Sequence, residues 1–491
     1  MPLEDLKKPP SARSWYALLG VLLVAQMVVL SIHINRKWTG HHDWNGAVWA
    51  QSARNNLRAG LATTLGVPAS TYFGPLPIPA DGYYVHHPSG LPLAVTAMFA
   101  FLGEREWAAR LIPISCSILS TVLLWVLVNC WAGPRPATLS ALVFLLLPME
   151  LYYGRMVNHE PCALMWMLAA MVALQRWELR PQPRWAVTML ACLFLGLEVA
   201  WSVYIFAVVV AGYLFARRKT LAAVAVLATV ALAAALFLVQ VRMVRADAWH
   251  DFFQATFRQH GQISSVPWLI KKLGSLGAKI PPVAWALALF GFINAARKPE
   301  SRGLNLGAGG LLLTAAIFFA GVRHIVLHDY WGFYFVAPVA MTGGVGLDAL
   351  WQWRGSFGRL IAVALLLWLG RCAVVETVAL QRIQCHLLNW DTAEPENLIP
   401  DLWEHIAATF TEDTRVFCNF LAYPQPQLEY YARRRLLPAP HAEDWQWSKQ
   451  PIGGVIWLDA PGAQELAAQL PPGTREIVEF GQVRFLFWTP T

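Results

Sequence analysis

The stretch SWYALLGVLLVAQMVVLSIHI, residues 14–34, decides the class of fold. It contains no Asp, Glu, Lys or Arg, and about 20 such residues cross the hydrocarbon core of a bilayer as one helix. Lys7, Lys8 and Arg13 precede it, and no small-residue cleavage site follows. We therefore interpret it as a membrane anchor with a cytoplasmic N-terminus, and not as a cleaved signal peptide.

Similar apolar stretches recur as far as about residue 379. Of the 491 residues, 56% are hydrophobic and 14% are charged, against about 25% charged in an ordinary soluble domain. This composition excludes a disordered chain and a typical cytosolic enzyme, and it predicts an α-helical polytopic membrane protein. We expect about 11 transmembrane helices, at Ser14–Ile34, Ala108–Cys130, Ala137–Tyr153, Pro161–Gln175, Trp185–Val199, Val203–Ala216, Leu221–Val241, Pro282–Ala296, Leu304–Val322, Gly332–Leu350 and Leu360–Ala379.

Basic residues are concentrated in alternate connections between the predicted spans. They are Arg135, Arg176, Arg180, Arg184, Arg217, Arg218, Lys219, Arg297, Lys298, Arg302, Arg354 and Arg359. The positive-inside rule places these connections in the cytoplasm, which accounts for the net charge of +8 without a nucleic-acid partner. An odd number of spans then places the C-terminus outside. If Trp185–Ala216 were one span and not two, everything downstream would be inverted.

Two domains are expected. Residues 1–379 form the membrane domain, in which 35–107 is a first outer segment with an interfacial helix at Leu91–Leu102, too short to cross. Residues 380–491 alternate strand-like and helix-like stretches, which predicts a small extracytoplasmic α/β domain. This tail has neither a GxGxxG motif nor a P-loop, so no nucleotide site is indicated.

Ionisable side chains gather at the predicted outer ends of the spans. They are found at His41-His42-Asp43, His86-His87, Arg155, His159-Glu160, Arg323-His324 and His328-Asp329-Tyr330. Charges at this depth cost free energy and tend to mark a site. The alternative is structural: Asp43 as a solvated cap, and Glu160-Pro161 as the start of a helix. His324, His328 and Asp329 suit a divalent metal, but no known metal-binding spacing supports one, so no ligand is assigned.

The order of these residues resembles the GT-C glycosyltransferases of family 39, which include protein O-mannosyltransferases and the lipid A aminoarabinose transferase. The resemblance extends over about residues 14 to 350. It is carried by Asp43 after the first span, Tyr83-Tyr84-Val85-His86-His87-Pro88, Gly103-Glu104 through Ala109-Arg110-Leu111, Gly154-Arg155 before Glu160-Pro161, and His328-Asp329-Tyr330-Trp331 with Pro338. The sequence departs from the family where Ser89 follows Pro88 in place of a second proline.

The resemblance implies a membrane enzyme that transfers a sugar from a polyprenyl-phosphate carrier to an acceptor on the extracytoplasmic side, generally with inversion. Asp43 matches the acidic residue that acts at the acceptor, and Glu160 matches that of the second outer loop. A carboxylate can take the proton of an acceptor hydroxyl, while the departing lipid phosphate needs positive charge. The residues predicted to bind substrate are His86, His87, Arg155, His159, Arg258, Lys271, Lys272, Arg323, His324, His328, Asp329 and Tyr330.

Two other classes of protein remain open at this point. A transporter would place charges among its spans, but we find no inverted repeat and, apart from Glu198, no ionisable pair at mid-span. A membrane-anchored binding protein would act through its C-terminal domain. For the enzyme, the expected partners are a polyprenyl-phosphate sugar (hexose or pentose), an acceptor protein, lipid or glycan, and the lipids of a bacterial inner membrane.

Overall fold

Long apolar helices make up most of the chain in the computed structural model. The model describes residues 12–250, 252, 266–321, 328–353, 355–382, 395–421, 425–438, 452–459, 462–480 and 483–490. The helices up to residue 244 are α1 (Ala12–Ser31), α2 (Trp44–Ala59), α3 (Leu61–Thr64), α4 (Gly90–Leu102), α5 (Glu106–Ala132), α6 (Pro134–Leu145), α7 (Pro148–Tyr153), α8 (His159–Leu179), α9 (Pro183–Leu197), α10 (Trp201–Ala216) and α11 (Thr220–Val244). Those that follow in the bundle are α12 (Val266–Lys279), α13 (Pro282–Ala296), α14 (Arg302–Gly321), α15 (Val336–Gln352) and α16 (Ser356–Arg382).

Six of the described helices are long and apolar enough to cross a membrane, or seven if the bent pair α12–α13 counts as one. The chain is therefore a multi-pass integral membrane protein. Helices α4, α9 and α10 are apolar but shorter, and they include the interfacial helix and the two short spans that the sequence predicts. α9 and α10 are separate helices, with a break at residues 198–200.

Prolines explain two further interruptions. The predicted third span is two helices, because Pro148 has no N–H to continue the hydrogen bonding of α6 and instead opens α7. Pro281 and Pro282 likewise separate α12 from α13, whose axes differ by 86°. The first break falls inside a span that the sequence suggested was uninterrupted, whereas the second coincides with the predicted start of the span Pro282–Ala296.

Helix α15 lies at the centre of the bundle and is buried along most of its length. Two glycines allow its neighbours to come close. A Cβ on Gly291 of α13 would lie 1.8 Å from the carbonyl oxygen of Thr342, and one on Gly344 would lie 2.2 Å from the backbone nitrogen of Ser140 in α6. Backbone-to-backbone approach of this kind is typical of helices that associate within membranes.

The sequence did not predict helix α2, which is buried although many of its residues are polar. Its side chains support the extended chain that follows: Gln51 Nε2 donates to the Tyr72 carbonyl at 2.6 Å, and Asn55 Nδ2 donates to the Ala69 carbonyl at 2.7 Å. The polar residues of α2 therefore satisfy backbone groups of residues 69–72 that would otherwise lack partners.

The C-terminal domain, residues 395–490, contains a five-stranded mixed sheet. The strands are β1 (Arg415–Cys418), β2 (Arg435–Pro438), β3 (Ile452–Trp457), β4 (Gly473–Phe480) and β5 (Val483–Pro490), in the order β2-β1-β3-β5-β4. β1 is parallel to β2 and β3, whereas β5 is antiparallel to β3 and β4. The helices are α17 (Pro395–Thr409), α18 (Pro426–Ala432) and α19 (Ala463–Gln469). Strand β2 is the element that the sequence did not predict here.

Helix α18 connects this domain to segment 35–107 and the start of α5. The hydroxyl of Tyr430 donates to Glu104 at 3.1 Å, and that of Tyr431 donates to Glu106 at 2.7 Å. Arg54 of α2 lies over the Tyr430 ring, with its guanidinium carbon 4.0 Å from the centroid. The C-terminal domain therefore rests on the same end of the bundle at which Asp43 lies.

Candidate active site

Asp43 immediately precedes α2, in a turn that follows α1. Its Oδ2 atom accepts a hydrogen bond from the Gly40 amide at 2.8 Å and lies 3.4 Å from Arg110 Nη2. Both contacts are made to the same oxygen. The side chain is 17% exposed, so it can still receive a proton from a bound molecule.

Three arginines surround the cleft that Asp43 lines. Arg110 is almost fully buried and donates to the carbonyl of Ile34 at 2.8 Å and also to that of Arg36. Its guanidinium carbon lies 4.3 Å from the centroid of the Trp38 ring. Arg155 donates to the carbonyl of Ile32. Burial and the neighbouring Arg110 lower the pKa of Arg155, whereas Asp43 opposes that change.

The remaining residues of this cleft come from distant parts of the chain. The cleft is lined by Arg36, Gly40, His41, Asp43, Arg110, Tyr152, Arg155, Met156 and Gln381. Tyr152 also supports the Asp43 turn, because its hydroxyl donates to the His41 carbonyl at 3.0 Å. One carboxylate and three guanidinium groups thus meet in a single cleft, an arrangement suited to proton transfer beside an anionic group.

A second charged cluster lies next to the first and is centred on Asp329. Its Oδ1 accepts from Tyr153 at 2.7 Å and from His42 Nε2 at 3.0 Å, while Oδ2 lies 2.9 Å from Lys279 Nζ and 3.5 Å from His41 Nε2. Burial lowers the pKa of His42, although its hydrogen bond to Asp329 opposes that shift. His42 has φ +61°, a conformation that few non-glycine residues adopt. The cluster therefore holds His41 and His42, the two residues that precede Asp43.

The donor set of this cluster does not favour a divalent metal. The ligand atoms of His41, His42 and Asp329 lie within 4.8 Å of one another. However, both oxygens of Asp329 already accept hydrogen bonds, and the Lys279 ammonium would repel a cation at the same carboxylate. The metal possibility raised from His324, His328 and Asp329 gains no support here, since His324 lies outside the described residues.

His86, His87, His159 and His328 belong to an aromatic cluster beside the cleft. The hydroxyl of Tyr84 lies 3.0 Å from His87 Nδ1, and the His87 ring stacks on that of His159 with centroids 4.8 Å apart. Burial lowers the pKa of His87 to about 4, so this ring is neutral at physiological pH. His328 lies near Tyr330, with 2.9 Å between its Nδ1 and the Tyr330 hydroxyl.

The structure separates the two predicted catalytic carboxylates. Glu160 is buried in the first turn of α8 and is not among the residues that line the Asp43 cleft. Its Oε2 atom has no hydrogen-bond partner in the described part of the chain. The environment of Glu160 is thus an interior one, whereas Asp43 faces an opening.

Several predicted cations lie away from the cleft or outside the description. Lys271 is exposed on α12. Nothing is described of the side chain of Lys272, and Arg258, Arg323 and His324 lie outside the described residues. Among the predicted cations in the described part of the chain, only Arg155 lines the cleft.

Sequence reasoning missed Arg36, Arg110, Lys279 and Glu150 as candidate residues. Glu150 is fully buried where α7 meets α1, and its Oε1 accepts from Gln26 Nε2 at 2.9 Å. Arg110 and Glu150 could have been found, since each is an ionisable residue within a predicted apolar span. Lys279 carries no comparable pattern, because its partner Asp329 is 50 residues away along the chain.

Comparisons with known proteins agree with this architecture. Residues 86–242 match the family model described as dolichyl-phosphate-mannose-protein mannosyltransferase. The chain is also similar to ArnT from Cupriavidus metallidurans bound to undecaprenyl phosphate, with a TM-score of 0.66 at 14% identity over 98% of both chains. No curated protein sequence matches the chain.

Two further solved structures share the fold. The archaeal oligosaccharyltransferase AglB from Archaeoglobus fulgidus, in complex with an inhibitory peptide and a dolichol-phosphate, has a TM-score of 0.55 at 11% identity, over 96% of this chain and 74% of that one. The arabinofuranosyltransferase AftD from Mycobacteria has a TM-score of 0.54 at 12% identity, over 99% and 40%. The fold is thus that of membrane glycosyltransferases. The sequence similarity to the mannosyltransferase family lies in residues 86–242, and the wider likeness to the solved structures is one of fold.

Proposed function

We propose that this protein transfers a sugar from a polyprenyl-phosphate carrier to an acceptor hydroxyl, with inversion at the anomeric carbon. The observation that carries the proposal is the cleft in which the Asp43 carboxylate meets Arg36, Arg110 and Arg155. The two ligand-bound relatives named above hold undecaprenyl phosphate and dolichol-phosphate, and a carrier of this class supplies the anion that the three arginines suit.

In this mechanism Asp43 is the general base. Its carboxylate takes the proton of the acceptor hydroxyl while the hydroxyl oxygen bonds to the anomeric carbon. The bond from that carbon to the phosphate oxygen breaks, and the polyprenyl phosphate leaves as an anion. Arg155 and Arg36 neutralise the leaving group, and Arg110 holds Asp43 in place through Oδ2.

The remaining predicted residues take supporting roles. Glu160 orients the start of α8, and His86, His87, His159, His328 and Tyr330 shape the wall between this helix and segment 83–88. Asp329 fixes the Asp43 turn through His41 and His42. Lys271, Lys272, Arg258, Arg323 and His324 remain candidates for contact with the lipid phosphate or the donor sugar.

The orientation follows from the loop charges. We propose about 11 spans in a bacterial inner membrane, a cytoplasmic N-terminus and an extracytoplasmic C-terminus, with the Asp43 cleft outside. The catalytic membrane domain covers residues 1–379, and the extracytoplasmic α/β domain covers 380–491. The transferred sugar is a hexose or a pentose, and the acceptor is a protein, a lipid or a glycan.

Donor use provides the test. The purified protein in nanodiscs is incubated with polyprenyl-phosphate hexoses and pentoses together with candidate acceptors (a peptide, a glycolipid and an oligosaccharide), and free polyprenyl phosphate is measured by mass spectrometry. We expect time-dependent release from at least one donor. If no donor of either class is consumed, although the protein is folded, the proposed function is wrong.

A further inference from the structure

A larger cavity adjoins the Asp43 cleft. Its volume is about 780 Å³, within the range of roughly 300–1,000 Å³ of small-molecule sites. It lies between segment 35–107 and the C-terminal domain. Arg36 lines both the cavity and the cleft, so a molecule in the cavity can extend an end toward Asp43.

The lining of this cavity is polar and nearly balanced in charge. It contains five basic residues, four acidic residues, one threonine, two tyrosines and two alanines. Such a balance creates no strong field for a polyanion, and it offers neither an apolar pocket for a peptide side chain nor one for an acyl chain. The cavity is therefore suited to a neutral, polar ligand.

Several charged side chains of the lining are held in place by hydrogen bonds and ion pairs. Arg54 Nε donates to Glu104 at 2.8 Å, and Glu106 accepts from Tyr431 and lies 3.6 Å from Lys37 Nζ. Fixed carboxylates and cations side by side suit ligands whose groups both donate and accept hydrogen bonds. The hydroxyl groups of a sugar have this property at every ring position.

We propose that this cavity binds a neutral oligosaccharide as the acceptor and directs one of its hydroxyl groups to Asp43. The inference rests on the proposed transferase function and names its acceptor class. The oligosaccharide is either free or the headgroup of a glycolipid. In the reaction its hydroxyl oxygen bonds to the anomeric carbon of the donor, its proton passes to Asp43, and the polyprenyl phosphate departs.

Two lining residues are available to contact the acceptor. Arg433 and Glu404 are both exposed, and no hydrogen bond or ion pair of either side chain is found in the described part of the chain. Arg433 ends α18 with φ +52°, a conformation that asparagine tolerates. Arg433→Asn and Glu404→Gln therefore remove charge with little effect on folding.

Calorimetric titration of the full-length protein in nanodiscs, without donor, tests the site. The probes are a panel of neutral oligosaccharides, the same oligosaccharides on a lipid anchor, a Ser/Thr-rich peptide and phosphorylated oligosaccharides. We expect saturable binding of a neutral oligosaccharide, weakened about 10- to 100-fold in each variant, as for one lost hydrogen bond to a charged group. The controls Arg475→Asn and Glu476→Gln, exposed on β4, should bind as the unchanged protein does.

Binding of the anchored form alone identifies a glycolipid acceptor, and binding of both forms identifies a free glycan; either supports the site. Three results overturn the proposed site. They are preference for the peptide or the phosphorylated probe, no binding of any neutral oligosaccharide, and equal affinity in the cavity and control variants.

Donor consumption separates the proposed acceptor site from the proposed transferase function. If polyprenyl phosphate is released but no oligosaccharide binds, only the acceptor assignment fails; if an oligosaccharide binds but no donor is consumed, the transferase function fails.

Discussion

At the scale of single residues, the cleft depends on side chains that serve two purposes. Arg110 is almost fully buried and holds both Asp43 and the backbone of residues 34–36, so its replacement would disturb the fold as well as the chemistry. In the described part of the chain, the Arg155 side chain is found with one hydrogen bond, to the carbonyl of Ile32. Arg155 is therefore the residue at which phosphate binding can be tested with less disturbance.

Arg155→Gln should raise the KM for the polyprenyl-phosphate donor by about 10- to 100-fold, because a hydrogen bond between charged groups contributes roughly 1.5–3 kcal/mol. Arg155→Lys should recover only part of this loss, since an ammonium cannot form the bidentate contact. Initial rates over a donor titration measure the effect. Arg184→Gln, an exposed residue at the start of α9, is the control. Unchanged KM and kcat in Arg155→Gln would remove this residue from the site.

The Asp329 cluster makes a prediction about stability. Lys279→Met leaves the Asp329 carboxylate half-buried without its ammonium partner and should destabilise the protein by about 2–5 kcal/mol. Asp329→Asn removes the charge, so adding Lys279→Met to it should cost much less than Lys279→Met does alone. Thermal unfolding of the two single variants and the double variant measures the coupling. Additive losses would show that the two groups do not stabilise each other.

At the scale of elements, the break between α9 and α10 is held by a contact from segment 35–107. The Gly90 amide donates to the Glu198 carbonyl at 2.8 Å, and Trp201 Nε1 donates to the His86 carbonyl at 2.7 Å. These two bonds attach the start of α4 to the turn between the two short helices. They thereby fix the backbone that carries His86 and His87.

Gly90→Ala should break this attachment. A Cβ at this position would lie 2.5 Å from the Glu198 carbonyl oxygen, and overpacking against backbone costs about 1–3 kcal/mol. We expect a lower apparent Tm and faster proteolysis between α9 and α10. Gly212→Ala in α10, where nothing lies within 4 Å of the new Cβ, is the matched control. An equal Tm in both variants would show that the contact is not structurally important.

The apolar helices could be predicted to within a few residues, whereas buried polar elements could not. Leu221–Val241 was expected and Thr220–Val244 is observed, because the apolar pattern and the bilayer thickness together fix such a helix. Helix α2 escaped prediction, since it buries Gln51 and Asn55 against backbone groups that only the folded chain supplies. Strand β2 has four residues and begins at the last of three consecutive arginines, which conceal its pattern.

The candidate site was predicted only in part for a similar reason. Motif order placed Asp43 and Arg155 at one end of the bundle, and the structure puts both in one cleft. It did not show that Glu160 faces the interior or that Lys279 pairs with Asp329. Both facts depend on how the helices pack against one another, which residue types and their spacing do not determine.

At the scale of the whole molecule, orientation in the membrane is the next prediction. Residues at opposite ends of the bundle should differ in their access to a membrane-impermeant thiol reagent added to intact cells. We expect Ala80→Cys, exposed in segment 35–107, to be labelled, and Gln182→Cys, exposed before α9, to be protected until the membrane is opened. The unsubstituted protein measures the background from native cysteines. Labelling of Gln182→Cys in intact cells with protection of Ala80→Cys would invert the proposed topology.

In the proposed reaction, the Asp43 carboxylate takes the proton of the acceptor hydroxyl. Asp43→Asn keeps the size of the side chain and its bond from the Gly40 amide but cannot take a proton. The most direct measurement is the steady-state kcat of sugar transfer by purified Asp43→Asn, with Asp81→Asn, an exposed residue of the same segment, as control. We predict a fall in kcat of about 10²–10⁴-fold with unchanged donor binding and folding. A kcat equal to that of the control would contradict the assignment, and a larger loss in Glu160→Gln would transfer the role of base to Glu160.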